Sequence, residues 1–198
     1  HSVLVGDFVY SKAFQLMASL SNQEIIKILA DSTNRISEGE VMQLSFKQKA
    51  ILSEKDYYEI IDRKTAELFK ASAITAGALS SCNQEEFISL TNFAVSLGMN
   101  FQIKDDLLDY FGDQKLTGKK IGKDFDEGKF TLPLIIALPL MTSKKQSLVL
   151  ETLFERNETD FNEIIKMIKE TGAIEKVEKI CNKFSETCFK ELNNFPES

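Results

Sequence analysis

Residues 1–132 contain no proline, and the whole chain has only Pro133, Pro139 and Pro196. Proline interrupts helix interiors, so its absence leaves long helices free to form. Strand signals are missing: there is no sustained alternation of apolar and polar residues and no Asn-Gly or Asp-Gly hairpin turn. Apolar residues recur instead at three- and four-residue spacing. The chain therefore reads as all-α, a single helical domain over residues 1–198, long enough to bury a sizeable core.

The spacing predicts a first helix over residues 3–20, with Val5, Phe8, Val9, Ala13, Leu16 and Leu20 in its stripe. A second runs over about 22–45, with Ser21 and Glu24 at the offset of a capping box. Gly39 interrupts this helix at a cost of about 1 kcal/mol relative to alanine, which suggests that another backbone comes close there. Ser53 is the expected N-cap of a third helix reaching about Leu79. A fourth covers about 84–111, followed by a charged loop at 113–129 and a short apolar helix at 131–138 opened by Pro133. Two or three amphipathic helices complete the chain to about Asn194.

Net charge is −6, with Lys and Glu spread along the sequence, which argues against a general nucleic-acid binder. No apolar run is long enough for a membrane span, and the first residues lack the basic region of a signal peptide. Cys82, Cys181 and Cys188 form an odd set without a CxxC pair, as expected of reduced thiols. A cytoplasmic protein is the expectation. The one histidine is His1, so a Ser-His-Asp or Cys-His unit and a His-rich zinc site are excluded within this chain. Its chemistry must come from carboxylates, lysines, hydroxyls and metal.

The stretch Phe101–Tyr110 concentrates that chemistry. Asp105 and Asp109 are one turn apart on one helix face, with Asp106 about 100° to the side. Three carboxylates so close raise each other's pKa, and a hard divalent cation, Mg²⁺ first of all, relieves the repulsion. The apolar stripe Phe87, Leu90, Phe93, Ala94, Leu97, Gly98 and Phe101 continues into Gln102, Asp105 and Asp109, which places the carboxylates at a cavity. Lys64-Thr65 on the preceding helix and the loop Gly118–Asp124, with Lys119 and Lys123, add cations suited to a diphosphate. Each feature has a plainer reading: a solvated acidic face, a soluble lysine-rich loop, a lysine lying along apolar neighbours, a phenylalanine core. Their conjunction in one stretch points to a metal-assisted site for a phosphate or diphosphate carrying a hydrocarbon.

Phe101-Gln102-Ile103-x-Asp105-Asp106-x-x-Asp109 resembles the second aspartate-rich motif of the trans-isoprenyl diphosphate synthases (polyprenyl synthetases). The resemblance extends through Gly118-Lys119-x-x-Gly122-Lys123-Asp124 to Gly128-Lys129-x-Thr131-Leu132-Pro133-Leu134. It runs back through Lys64-Thr65-Ala66, Glu38–Leu44 and Val3–Phe8, covering about 3–134. Glu38–Leu44 and Lys64–Phe69 look more like the long-chain branch, such as octaprenyl diphosphate synthases, than the farnesyl branch.

The resemblance implies an isoprenoid-synthase-type helical bundle around an apolar cavity. It implies Mg²⁺-dependent condensation of isopentenyl diphosphate with an allylic diphosphate into a longer trans-prenyl chain. By position, Asp105, Asp106 and Asp109 resemble metal ligands; Lys64, Lys119 and Lys123 resemble diphosphate contacts; Thr65 and Gln102 resemble groups facing the allyl end. Lys64, Asp105 and Asp106 are the residues expected to act in catalysis. Members are homodimers, and residues 3–20 and 22–45 resemble the dimer-forming helices. The family's first aspartate-rich motif would lie before residue 3 and its last helix after the end of this chain. The domain is thus expected to be partial and the chain inactive alone. Two alternatives stay open: a noncatalytic regulatory subunit of a heteromeric synthase, and a helical interaction domain without chemistry.

Overall fold

The structure, a computed structural model, describes residues 1–46, 51–80, 82–112, 121–155 and 161–195. Every regular element among them is a helix. In chain order these are α1 (Ser2–Ser19), α2 (Gln23–Phe46), α3 (Glu54–Ile61), a π-turn (Asp62–Ala66) and α4 (Glu67–Ser80). They continue with α5 (Gln84–Phe111), α6 (Lys123–Asp126), α7 (Leu132–Ala137), a 3₁₀ turn (Leu138–Leu140), α8 (Ser143–Glu155), α9 (Phe161–Glu170) and α10 (Ala173–Leu192).

Local sequence accounts for most of the boundaries. The Ser53 hydroxyl accepts from the Asp56 amide at 3.1 Å and starts α3. Asn83 starts α5 with a full capping box, exchanging bonds with Glu86 at 2.9 Å in both directions. The predicted Ser21 cap is replaced by Asn22, whose side-chain oxygen accepts from the amides of Glu24 and Ile25 at 3.0 and 3.2 Å. Ser21 lies one residue too far out and has a left-handed backbone, φ 50°. The third predicted helix is not continuous: the π-turn divides it.

Helix α5 is the centre of the fold and packs most extensively on α10 and α4. Ile103, Leu107 and Tyr110 on its buried face meet Ile60, Leu132, Leu134, Ile164, Ile168 and Val177 in the main core. All three cysteines are free thiols, with Cys181 and Cys188 buried. Helix α1 buries no residue: Val3, Leu4, Val5, Phe8, Val9 and Leu16 are exposed. No helix among the described residues is long and apolar enough to cross a membrane.

The stripe predicted on α5 divides between two sides. Ala94 and Gly98 are buried, whereas Leu97 and Phe101 are exposed, Phe101 by 57 %. The face that packs inward carries Asp106, and the opposite face carries Leu97, Phe101, Leu108 and the half-buried Asp105. A single apolar stripe read at helical pitch could not separate these two faces, because α5 has apolar residues on both. Burial within the third predicted helix divides in the same way, with Ile61 among its buried residues. Leu68 and Leu79 are exposed, and Tyr57, Ile60, Ala66 and Ala71 are buried.

Candidate active site

The π-turn is the element that presents Lys64 and Thr65. A π-turn holds one residue more than a regular helical turn and is frequent at functional sites. Two glycines let neighbouring helices reach it. A Cβ on Gly39 of α2 would stand 2.8 Å from the Lys64 amide nitrogen, and one on Gly98 of α5 would stand 2.6 Å from the Ala66 Cα. The turn is thus gripped from both sides at distances only glycine permits.

From the turn, adjacent side chains diverge. The Lys64 ammonium turns to α2, donating to Gln43 Oε1 at 2.8 Å and pairing with Glu40 at 2.9 Å. The Thr65 hydroxyl turns to α5 and donates to Gln102 Oε1 at 2.8 Å. Gln102 Nε2 then donates to Asp106 Oδ1 at 2.8 Å, and the Tyr57 hydroxyl donates to Asp106 Oδ2 at 2.6 Å. Thr65, Gln102, Asp106 and Tyr57 therefore form one hydrogen-bonded chain across α3, the π-turn and α5.

Asp106 is only 3 % exposed. Burial pushes its pKa up to about 7; the bonds from Tyr57 and Gln102 pull the other way, and the charges of Asp124 and Asp105 add to the rise. Burial beside the Asp106 charge also raises the Tyr57 hydroxyl well above its ordinary value. Asp109 is half-buried. Its two oxygens accept the backbone amides of Lys123 and Asp124 at 3.1 and 3.0 Å, and its carbonyl accepts from Gly122 at 2.7 Å. Burial raises its pKa, opposed by the Asp124 amide. Asp109 thereby fastens the start of α6 to the end of α5.

Of the remaining predicted residues, Lys123 contributes its backbone to this contact while its ammonium is exposed, 3.8 Å from Glu127. Lys119 lies outside the described residues. Lys129 pairs with Asp124 and Glu127, each at 2.8 Å. Burial opposes the Lys129 charge, but the two carboxylates outweigh it and raise its pKa. Tyr57, Gln43, Glu40 and Asp124 complete the surroundings, and sequence reasoning gave none of them a role. Tyr57 lies seven residues before Lys64, a same-face offset on a regular helix.

Among the described residues no group of three or more Asp, Glu, Cys or His side chains is placed to hold a metal ion. The donor set nonetheless suits Mg²⁺, which keeps several waters and is held by one or two carboxylates plus substrate phosphates. A carboxylate oxygen that accepts one hydrogen bond retains a further lone pair. Burial is the first cause of the raised Asp106 and Asp109 pKa values, with neighbouring carboxylate charges adding to the rise, and a divalent ion beside them would favour the ionised forms.

An all-helical fold with a lysine-threonine turn set against an aspartate-rich helix is of the isoprenoid-synthase type. The polyprenyl synthetase family profile matches residues 1–171, and the chain belongs to that family. Octaprenyl diphosphate synthase of Escherichia coli is 34 % identical over 198 residues, all of this chain and 61 % of that protein. All-trans-nonaprenyl-diphosphate synthase (geranyl-diphosphate specific) of Rhodobacter capsulatus is 35 % identical over 198 residues, 60 % of that protein. The crystal structure of a polyprenyl synthase from Caulobacter crescentus, complexed with calcium and isoprenyl diphosphate, superposes with a TM-score of 0.92 at 34 % identity. The match covers 100 % of this chain and 61 % of that one. The chain thus spans about three fifths of the length of these relatives.

Proposed function

We propose that this chain is part of a prenyltransferase that joins isopentenyl diphosphate to an allylic diphosphate and releases a longer trans-polyprenyl diphosphate. The observation that carries the proposal is the chain Thr65–Gln102–Asp106, which couples the lysine-bearing turn to the carboxylates of α5. The relatives named above support the long-chain branch.

In this reading Asp105, Asp106 and Asp109 hold Mg²⁺, the last two through lone pairs left over from their hydrogen bonds. Bound there, Mg²⁺ would neutralise charge on the departing diphosphate. Lys64, kept extended by Glu40 and Gln43, shifts from those partners to the diphosphate. Lys119 and Lys123 supply further cations from the loop. Thr65 and Gln102 orient the allyl end, and Asp106 keeps the Gln102 amide turned so that its oxygen faces Thr65. The chain spans about three fifths of its relatives' length, and by itself it is expected not to elongate substrate. The apolar surfaces of α1 and α2 support a homodimer, and three unpaired thiols suit the cytoplasm.

The test is to incubate the whole protein with isopentenyl diphosphate, Mg²⁺ and farnesyl or geranyl diphosphate, and to resolve the products by chain length. A longer prenyl diphosphate is expected, and Asp105→Ala should abolish it with the helical content intact. No product from any allylic diphosphate would overturn the proposal; full activity of Asp105→Ala would remove the metal assignment.

A further inference from the structure

The geometry points to Arg35 of α2 as a positioning residue for Lys64 and Thr65. Its guanidinium spans the π-turn from end to end. Nη2 donates to Asp62 Oδ2 at 2.6 Å, at the first residue of the turn, and Nε donates to Glu67 Oε2 at 2.9 Å, at the residue just after it. Glu67 is buried, 5 % exposed, and its other oxygen accepts from Ser32 of α2 at 3.2 Å. Lys70 approaches the same carboxylate at 3.3 Å, one turn further along α4.

A π-turn is less stable than regular helix and anneals to it unless its surroundings hold the additional residue. Contacts within α3 and α4 cannot do this, because they would follow either register. The holding contacts come from α2 and α5: Arg35 fixes both ends, Glu38 pairs with Arg63 at 2.7 Å, Gly39 abuts the Lys64 amide, and Gly98 of α5 abuts Ala66. Arg35 is the only one of these that joins the two ends. A planar guanidinium donates in two fixed directions, which lysine's single ammonium cannot reproduce. The register it holds is the one in which Lys64 faces α2 while Thr65 meets Gln102. Arg35 acts through those residues and bonds to neither.

The catalytic consequence rests on the diphosphate role proposed for Lys64; the structural one does not, and the two are separable. In the whole protein, Arg35→Gln should raise KM for the allylic diphosphate by about tenfold while leaving KM for isopentenyl diphosphate within about twofold. Amides of residues 62–67 should exchange hydrogen about tenfold faster or more. Arg35→Lys keeps a cation beside Glu67, so it should restore the melting temperature but not KM for the allylic diphosphate. Lys27→Gln, in an exposed pair with Asp31 earlier on α2, is the control and should change neither. Unchanged exchange at residues 62–67 in Arg35→Gln overturns the assignment. So does recovery of KM in step with melting temperature in Arg35→Lys, since that marks a purely structural residue. If the wild-type protein turns over no allylic diphosphate, the proposed function fails, and the exchange measurement alone decides the clamp.

Discussion

Gln102 and Asp106 sit one turn apart on α5, and the Gln102 amide nitrogen donates to the carboxylate at 2.8 Å. That bond fixes which end of the amide faces the π-turn, so Thr65 meets an oxygen and donates its proton to it. A buried carboxylate thus sets the polarity of a contact between two other elements.

Because burial pushes Asp106 up to about 7 from the ordinary carboxyl value of 3.8, it binds its proton more tightly in the folded than in the unfolded chain. Between those values the folded state holds the additional proton, so stability from this group falls as pH rises from about 4 towards about 7 and is level above that. The slope is at most about 1.4 kcal/mol per pH unit. Asp106→Asn should flatten it, which urea denaturation across pH 4.5–8 in metal-free buffer will measure. A wild-type slope equal to that of the variant would show that Asp106 is ionised throughout.

Tyr57→Phe removes the 2.6 Å bond to Asp106 and leaves a buried oxygen short of a donor. A loss of about 1–3 kcal/mol is expected, together with a further rise in the Asp106 pKa, followed by carboxyl ¹³C shifts. Falling stability without a change in that pKa would break the link between the two residues.

Asp109→Ala deletes the acceptor for both the Lys123 and Asp124 amides. Exchange at those two amides should accelerate, with about 0.5–2 kcal/mol lost, while amides in the middle of α5 stay protected. Retained protection at Lys123 and Asp124 would mean that the pairing of Lys129 with Asp124 suffices to hold α6.

Gly39→Ala drives a methyl group against the Lys64 amide, with backbone rather than a flexible side-chain tip in its way. A cost of about 1–3 kcal/mol is expected. Gly98→Ala, pressed against Ala66, should act similarly. A crystal structure of either variant with the π-turn unmoved would show that the neighbouring helices yield instead.

The parts of this fold legible in the sequence were those with local causes. Ser53 caps α3 because its own hydroxyl reaches the Asp56 amide, and Pro133 opens α7. The family motifs likewise brought Lys64, Thr65, Gln102 and Asp106 under suspicion together. The π-turn was not legible, since Asp62-Arg63-Lys64-Thr65-Ala66 contains neither glycine nor proline. Its causes are Arg35, Gly39 and Gly98, all distant in sequence, and only the close-approach reading of Gly39 anticipated one of them. The direction of α5 was obscured for a different reason. Leu97 and Phe101 are as apolar as the residues that pack inward, so hydropathy could not tell an outward face from the core.

A π-turn is what a helix becomes when it accepts an insertion without growing longer. The number of residues between the Ser53 cap and Glu67 is therefore a selectable quantity in its own right. Removing one of residues 62–66 would let the rod close into a regular α-helix with α3 and α4 keeping their faces, and would change instead which side chains the segment turns towards α2 and α5. A lineage that loses or gains one residue in this segment would part the lysine-threonine turn from the acidic helix in a single mutational event, even with every motif letter preserved.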